Sequence, residues 1–135
     1  MKPVIKFLLI TVIFGIISFL LTPALWTKAM GVNPTQGQLP FFIALSVIES
    51  VVFGIGISFI VLSWPFLKRF NQLSRKLTFA TYLAISWLLV SWWPHDNFHM
   101  QNGLYLQGLL YIDYVFHVTI IIASLIVAYF FYSLI

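Results

Sequence analysis

Four long apolar segments, separated by shorter polar stretches, dominate the hydrophobic pattern of this chain. Three of them cover residues 4–22, 40–67 and 77–93, and the fourth lies within 104–135. A helix needs about 20 apolar residues to cross the hydrocarbon core of a bilayer. Lipid offers no hydrogen-bond partners, so each segment must satisfy its own backbone, which favours helices. The pattern predicts an all-α integral membrane protein, with one four-transmembrane-helix bundle over residues 1–135.

The polar stretches predict the connections between these helices. Residues 23–39 and 94–103 are predicted as loops on one side of the membrane. Pro94 either ends the third helix or begins a short surface helix through Met100, and Asn102-Gly103 predicts the turn that follows. The first apolar run follows two lysines, as in a secretory signal. However, it is as long as a span and no clean small-x-small cleavage site follows, so we expect it to remain as a helix.

Composition supports the membrane class. Hydrophobic residues make up 61% of the 135 residues, and charged residues make up 7%. A soluble domain has roughly 45–50% apolar and about 25% charged residues. This scarcity of charge excludes a soluble enzyme, a disordered tail and a nucleic-acid-binding module. The expected partner of the chain is the lipid bilayer.

The basic residues predict the orientation. Cytoplasmic loops of membrane proteins carry an excess of Lys and Arg. Six of the seven basic residues fall at the amino terminus or between the second and third segments, and the seventh is Lys28. We therefore expect both termini in the cytoplasm, a multi-pass position in the plasma membrane, and the two loops on the outer side.

Small residues recur at helical spacing on the first two segments. One stripe contains Gly15 and the other Gly54; the full set is Thr11, Gly15, Ser18 and Thr22, then Ser50, Gly54 and Ser58. Small residues allow the backbones of membrane helices to approach closely. The stripes predict that the first two helices pack face to face.

The three acids and three histidines are predicted to lie in one layer. Glu49 lies nineteen residues before Lys68, and His95 lies nineteen residues after Lys76. Asp113 lies nineteen residues before Tyr132. At 1.5 Å per residue, each is roughly 28 Å from the inner boundary. His117 is one helical turn from Asp113, and Asp96 and His99 closely follow His95. All six residues should therefore lie in one layer near the outer face.

A transition-metal site is the leading interpretation of this layer, because imidazole and carboxylate together suit Zn, Cu or Fe. His95 and His99, like Asp113 and His117, are spaced to share a helix face. The absence of Cys excludes thiolate ligands. A haem with two histidine ligands is less favoured. The candidate ligands are Glu49, His95, His99, Asp113 and His117, with Asp96, Asn97, Gln101 and Asn102 as residues that could orient them.

Two other functions stay open on the sequence alone. The chain could be a small non-catalytic subunit of a larger membrane complex, or a homo-oligomer, in which the cluster is a structural network. The cluster could also relay protons or ions. Catalysis is not decided by these residues, although a metal here could activate water or O₂.

Overall fold

The computed structural model describes residues 2–26, 35–69, 74–103 and 105–135. Within these ranges the chain is helical and has no strand, which confirms the predicted all-α class. The six helices are α1 (Pro3–Trp26), α2 (Leu39–Leu62), α3 (Trp64–Leu67), α4 (Arg75–Val90), α5 (Trp92–Asn102) and α6 (Leu106–Tyr132).

Three helices, α1, α2 and α6, are long and apolar enough to cross a membrane. The remaining predicted span is broken, because α4 and α5 pass the same test only as a pair whose axes are bent by 43°. The described chain therefore offers three candidate spans, or four if the bent pair forms one. This is the architecture of a membrane protein, close to the four spans that the apolar pattern predicted.

Several boundaries differ from the prediction. The second helix ends at Leu62 instead of continuing to residue 67, because Ser63 separates it from the single turn of α3. The first helix runs on to Trp26, into the predicted 23–39 loop. Residues 27–34, including Lys28, lie outside the described residues.

The segment after Pro94 takes the helical alternative. The backbone N–H of His95 donates to the carbonyl of Ser91 at 3.1 Å, so hydrogen bonding resumes just after the bend. Pro94 lies in the first turn of α5, where its missing N–H is tolerated. At the other end, Gly103 adopts φ 54°, a conformation that favours glycine, and it ends α5 in the predicted turn. Residues 94–102 are thus helix rather than loop.

Small residues bring α1 and α2 into close contact, as their spacing predicted. A Cβ atom added at Gly54 would collide with the backbone carbonyl oxygen of Thr11. The Thr11 and Ser58 hydroxyls hydrogen bond across the interface at 2.8 Å, and Ser58 also donates to the carbonyl of Phe7 at 2.9 Å. The interface is therefore held by backbone proximity and hydrogen bonds, since lipid supplies no hydrophobic driving force between helices.

The four long elements follow one another in a row. Helix α1 packs on α2, α2 packs on α4, and α4 packs on α6. Among the described residues, α1 and α6 make no contact, and neither do α2 and α6. The short helix α5 lies across one end of this row and contacts α1, α2 and α6. We call this end the α5 end, and α5 is the element that links its residues together.

Candidate metal centre

The two histidines of α5 lie side by side. His95 and His99 are one helical turn apart, and their ring centroids are separated by 4.5 Å. The turn at Gly103 brings α6 back against α5, which places Asp113 opposite both rings. Two imidazoles from one helix and one carboxylate from the next therefore face one another.

The distances within this group suit a single metal ion. Asp113 Oδ1 lies 2.9 Å from His99 Nε2 and 3.5 Å from His95 Nε2. One ligand atom from each of the three residues lies within 4.8 Å of the other two. Two ligands of a tetrahedral ion, each about 2.0–2.1 Å from the metal, lie about 3.4 Å apart. The three donors could hold an ion after only small side-chain adjustments.

His95 is held in a definite orientation. Its Nδ1 lies 2.7 Å from Asp96 Oδ1, so Nδ1–H donates to that carboxylate and Nε2 retains its lone pair. Phe116 stacks on the ring, with centroids 3.7 Å apart and planes 21° from parallel. Nε2 is buried and has no hydrogen-bond partner among the described residues. Metal-binding histidines commonly have this carboxylate support on the far nitrogen.

His117 lies beside the group but not within it. Its Nδ1 donates to the Asp113 backbone carbonyl at 2.8 Å and is 3.8 Å from Asp113 Oδ1. The side chain is 61% exposed, and its ring centroid is 5.8 Å from that of His95. The i to i+4 spacing therefore puts His117 near the group, while its Nδ1 hydrogen bonds to the backbone carbonyl rather than to the carboxylate.

Glu49 approaches the cluster from the opposite side of α5. It is 8% exposed on α2, and it lines one cavity together with Asp96. Helices α2 and α6 do not touch, so Glu49 and Asp113 are separated by α5. The layer predicted by counting residues is therefore two neighbouring groups: His95, His99 and Asp113 on one side, and Glu49 with Asp96 on the other.

The predicted orienting residues have different partners. Asp96 supports His95, as described above. Asn97 and Asn102 donate their amides to the backbone carbonyls of Trp93 and Phe98, at 2.7 and 2.9 Å. Gln101 is half-buried near the end of α5.

Sequence analysis missed Phe116, whose ring stacks on that of His95. The available signal was its position three residues after Asp113, which places both side chains on one face of α6.

The acids at the α5 end have no Lys or Arg partner in the described ranges. The short contacts found there join the rings of His95, His99 and His117 to the carboxylates of Asp96 and Asp113, and each is an ion pair only when its imidazole is protonated. The described basic residues lie at the start of α1, directly after α3 or in the first turn of α4, at the opposite end of the spans. Carboxylates in a membrane are costly unless they are paired, and a bound cation would supply that pairing.

No known protein family, curated protein or solved structure shows significant similarity to this chain. A proposal for its function therefore rests on the chemistry of its own residues.

Proposed function

We propose that this chain is a multi-pass plasma-membrane protein that binds one transition-metal ion through His95, His99 and Asp113. The observation that carries the proposal is the buried Nε2 of His95, which has no hydrogen-bond partner among the described residues and lies 3.5 Å from the carboxylate oxygen that His99 Nε2 contacts. In this proposal both termini are cytoplasmic, and the metal lies near the outer face of the membrane.

The donor set limits the identity of the ion. Two imidazoles and one carboxylate occur in catalytic zinc sites and in non-haem iron sites, and imidazole also suits Cu²⁺. A haem is disfavoured, because its two axial ligands must approach from opposite faces of a planar ring. His95 and His99 instead come from one face of one short helix, with ring centroids only 4.5 Å apart.

Three protein ligands would leave at least one coordination position open. A metal bound in this way acts as a Lewis acid, or binds water or O₂. The chain's own residues prepare the site: Asp96 orients His95, and Phe116 shields one face of its ring from water. His117, with Nδ1 engaged by a carbonyl, keeps its Nε2 as an additional donor at the exposed edge.

Metal loading of the purified protein in detergent micelles tests this proposal. Wild type should bind one Co²⁺ per chain and show the visible absorption of a site with nitrogen ligands, and Zn²⁺ should displace the cobalt. Asp113→Asn and His99→Ala should lose this absorption while keeping wild-type helicity by circular dichroism. His117→Gln tests whether His117 is a fourth ligand, because this substitution should change the Co²⁺ absorption only if His117 coordinates the ion.

The matched control is Gln101→Ala, on the same helix as the two histidines. It should retain full cobalt binding. A folded wild type that binds no Co²⁺ or Zn²⁺ at micromolar concentration would refute the proposal, and so would an Asp113→Asn variant with unchanged affinity.

A second candidate is a small subunit of a larger membrane complex, or a homo-oligomer. The open row of helices favours it, because α6 is packed on α4 and α5 and has no third helical neighbour in the described chain. Light scattering in several detergents would test it, and a lone monomer in native membranes would count against it.

A relay of protons across the membrane has less support. In the described inner halves, the hydroxyls of Ser58 and Ser86 donate to the carbonyls of Phe7 and Tyr82. They do not continue the polar cluster of the α5 end.

A further inference from the structure

A small cavity lies between α2 and α5, and Asp113 is not among its lining residues. Its volume is about 160 Å³, and one water molecule occupies about 30 Å³ in the liquid. The cavity could therefore hold one ion with a few water molecules. Its lining combines the apolar side chains of Phe42, Leu45 and Met100 with polar side chains from Ser46, Glu49, Asp96, Asn97 and His99.

Two residues of this lining each carry a buried oxygen atom that has no hydrogen-bond partner in the described chain, Glu49 Oε1 and Asn97 Oδ1. Asn97 is 4% exposed. Its amide nitrogen is identified by the hydrogen bond to the Trp93 carbonyl, so the remaining atom is the acceptor oxygen. Buried polar atoms without partners are rare and call for an unseen partner, either water or an ion.

Asp96 adds a further oxygen and a negative charge. One of its carboxylate oxygens accepts from His95 Nδ1, and the side chain lines the same cavity as Glu49. Two carboxylates that line one cavity repel each other. A cation between them would offset this repulsion and would also satisfy the oxygen of Asn97.

We propose that Glu49, Asp96 and Asn97 form a second metal site, made of oxygen donors, for a hard divalent cation such as Ca²⁺, Mg²⁺ or Mn²⁺. Carboxylate, amide and water oxygens are the ligands these ions prefer. The Ser46 hydroxyl, which is 3% exposed and lines the cavity, is an additional donor. The two sites have no ligand in common. Asp96 connects them, because it is a proposed ligand of the second site and also holds His95, a ligand of the first.

Mn²⁺ binding, followed by electron paramagnetic resonance, tests this second site. The experiment uses the full-length Asp113→Asn protein in micelles, because this isosteric change removes a ligand of the first site and leaves the cavity lining intact. The signal of free Mn²⁺ should fall as one ion binds per chain, and Ca²⁺ or Mg²⁺ should compete. Glu49→Gln, which keeps the side-chain shape, should weaken Mn²⁺ binding by roughly tenfold or more, since affinity depends on ligand charge.

Asn97→Ala and Asn102→Ala form a matched pair on α5. Both side chains donate to the carbonyl four residues earlier, but only Asn97 lines the cavity. Asn97→Ala should weaken Mn²⁺ binding, and Asn102→Ala should not. Unchanged binding in Glu49→Gln, or no Mn²⁺ binding by the folded Asp113→Asn protein at millimolar concentration, would overturn this site. The cobalt experiment on wild type would stand or fail separately.

Discussion

The close approach of α1 and α2 makes Gly54→Ala a sharp test of the fold. A Cβ at this position meets the Thr11 carbonyl oxygen, and it lies 3.0 Å from the backbone nitrogen of Gly15. Neither atom belongs to a flexible side chain, so the two helices would have to separate. The same movement would stretch the hydrogen bonds of Ser58 to Thr11 and Phe7.

The expected cost follows from these contacts. Overpacking a tight interface costs about 1–3 kcal/mol, and hydrogen bonds between membrane helices contribute about 0.6 kcal/mol each. Alanine improves helix propensity by about 1 kcal/mol, which offsets part of the loss. We expect a net decrease of about 1–3 kcal/mol in the free energy of unfolding.

Unfolding in mixed micelles with increasing SDS, followed by tryptophan fluorescence, measures this change. Gly37→Ala is the matched control, because a Cβ there meets no atom within 4 Å. It should alter the free energy of unfolding by less than about 0.5 kcal/mol. Equal stability of Gly54→Ala and wild type would refute the close packing of these two helices.

Three further predictions concern the proposed metal centre. Asp96→Asn should weaken Co²⁺ binding by about 10–100-fold, as is typical when the carboxylate behind a ligating histidine is lost; isothermal titration would measure this change, and an unchanged affinity would contradict the role of Asp96. Phe116→Ala should lower both stability and Co²⁺ affinity, whereas Phe130→Ala, an equally buried position on the same helix, should lower stability alone, as unfolding and titration of both variants would reveal. Lowering the pH from 7 to 5 should release Co²⁺, because imidazole binds metals only in its neutral form, and absorption that persists at pH 5 would argue against histidine ligands.

The sequence predicted the helical spans well, because bilayer thickness imposes a length that an apolar run must reach. It also predicted the contact between α1 and α2, since the stripe through Gly54 has a direct physical meaning in lipid. His95 and His99 could be paired from their spacing alone, and Asp113 could be placed at their depth.

Lateral placement could not be predicted in the same way. Counting residues predicts a depth for Glu49 but not its neighbours, and Glu49 shares a cavity with Asp96 rather than with Asp113, because α2 and α6 do not touch. The spacing of Asp113 and His117 likewise could not reveal that His117 Nδ1 would bond to a backbone carbonyl. Side-chain rotamers and the bend after α4 depend on tertiary contacts that hydropathy does not encode.

The donors of the proposed metal centre come from α5 and α6, which follow α1, α2 and α4 along the chain. During synthesis, His95 and His99 therefore emerge before the carboxylate of Asp113 that completes the group. The centre can form only after the preceding helices have been inserted and α6 has folded back against α5. Capture of a metal ion would thus mark the completion of assembly, and it would fasten α6 to α5, its second neighbour besides α4 in the described chain.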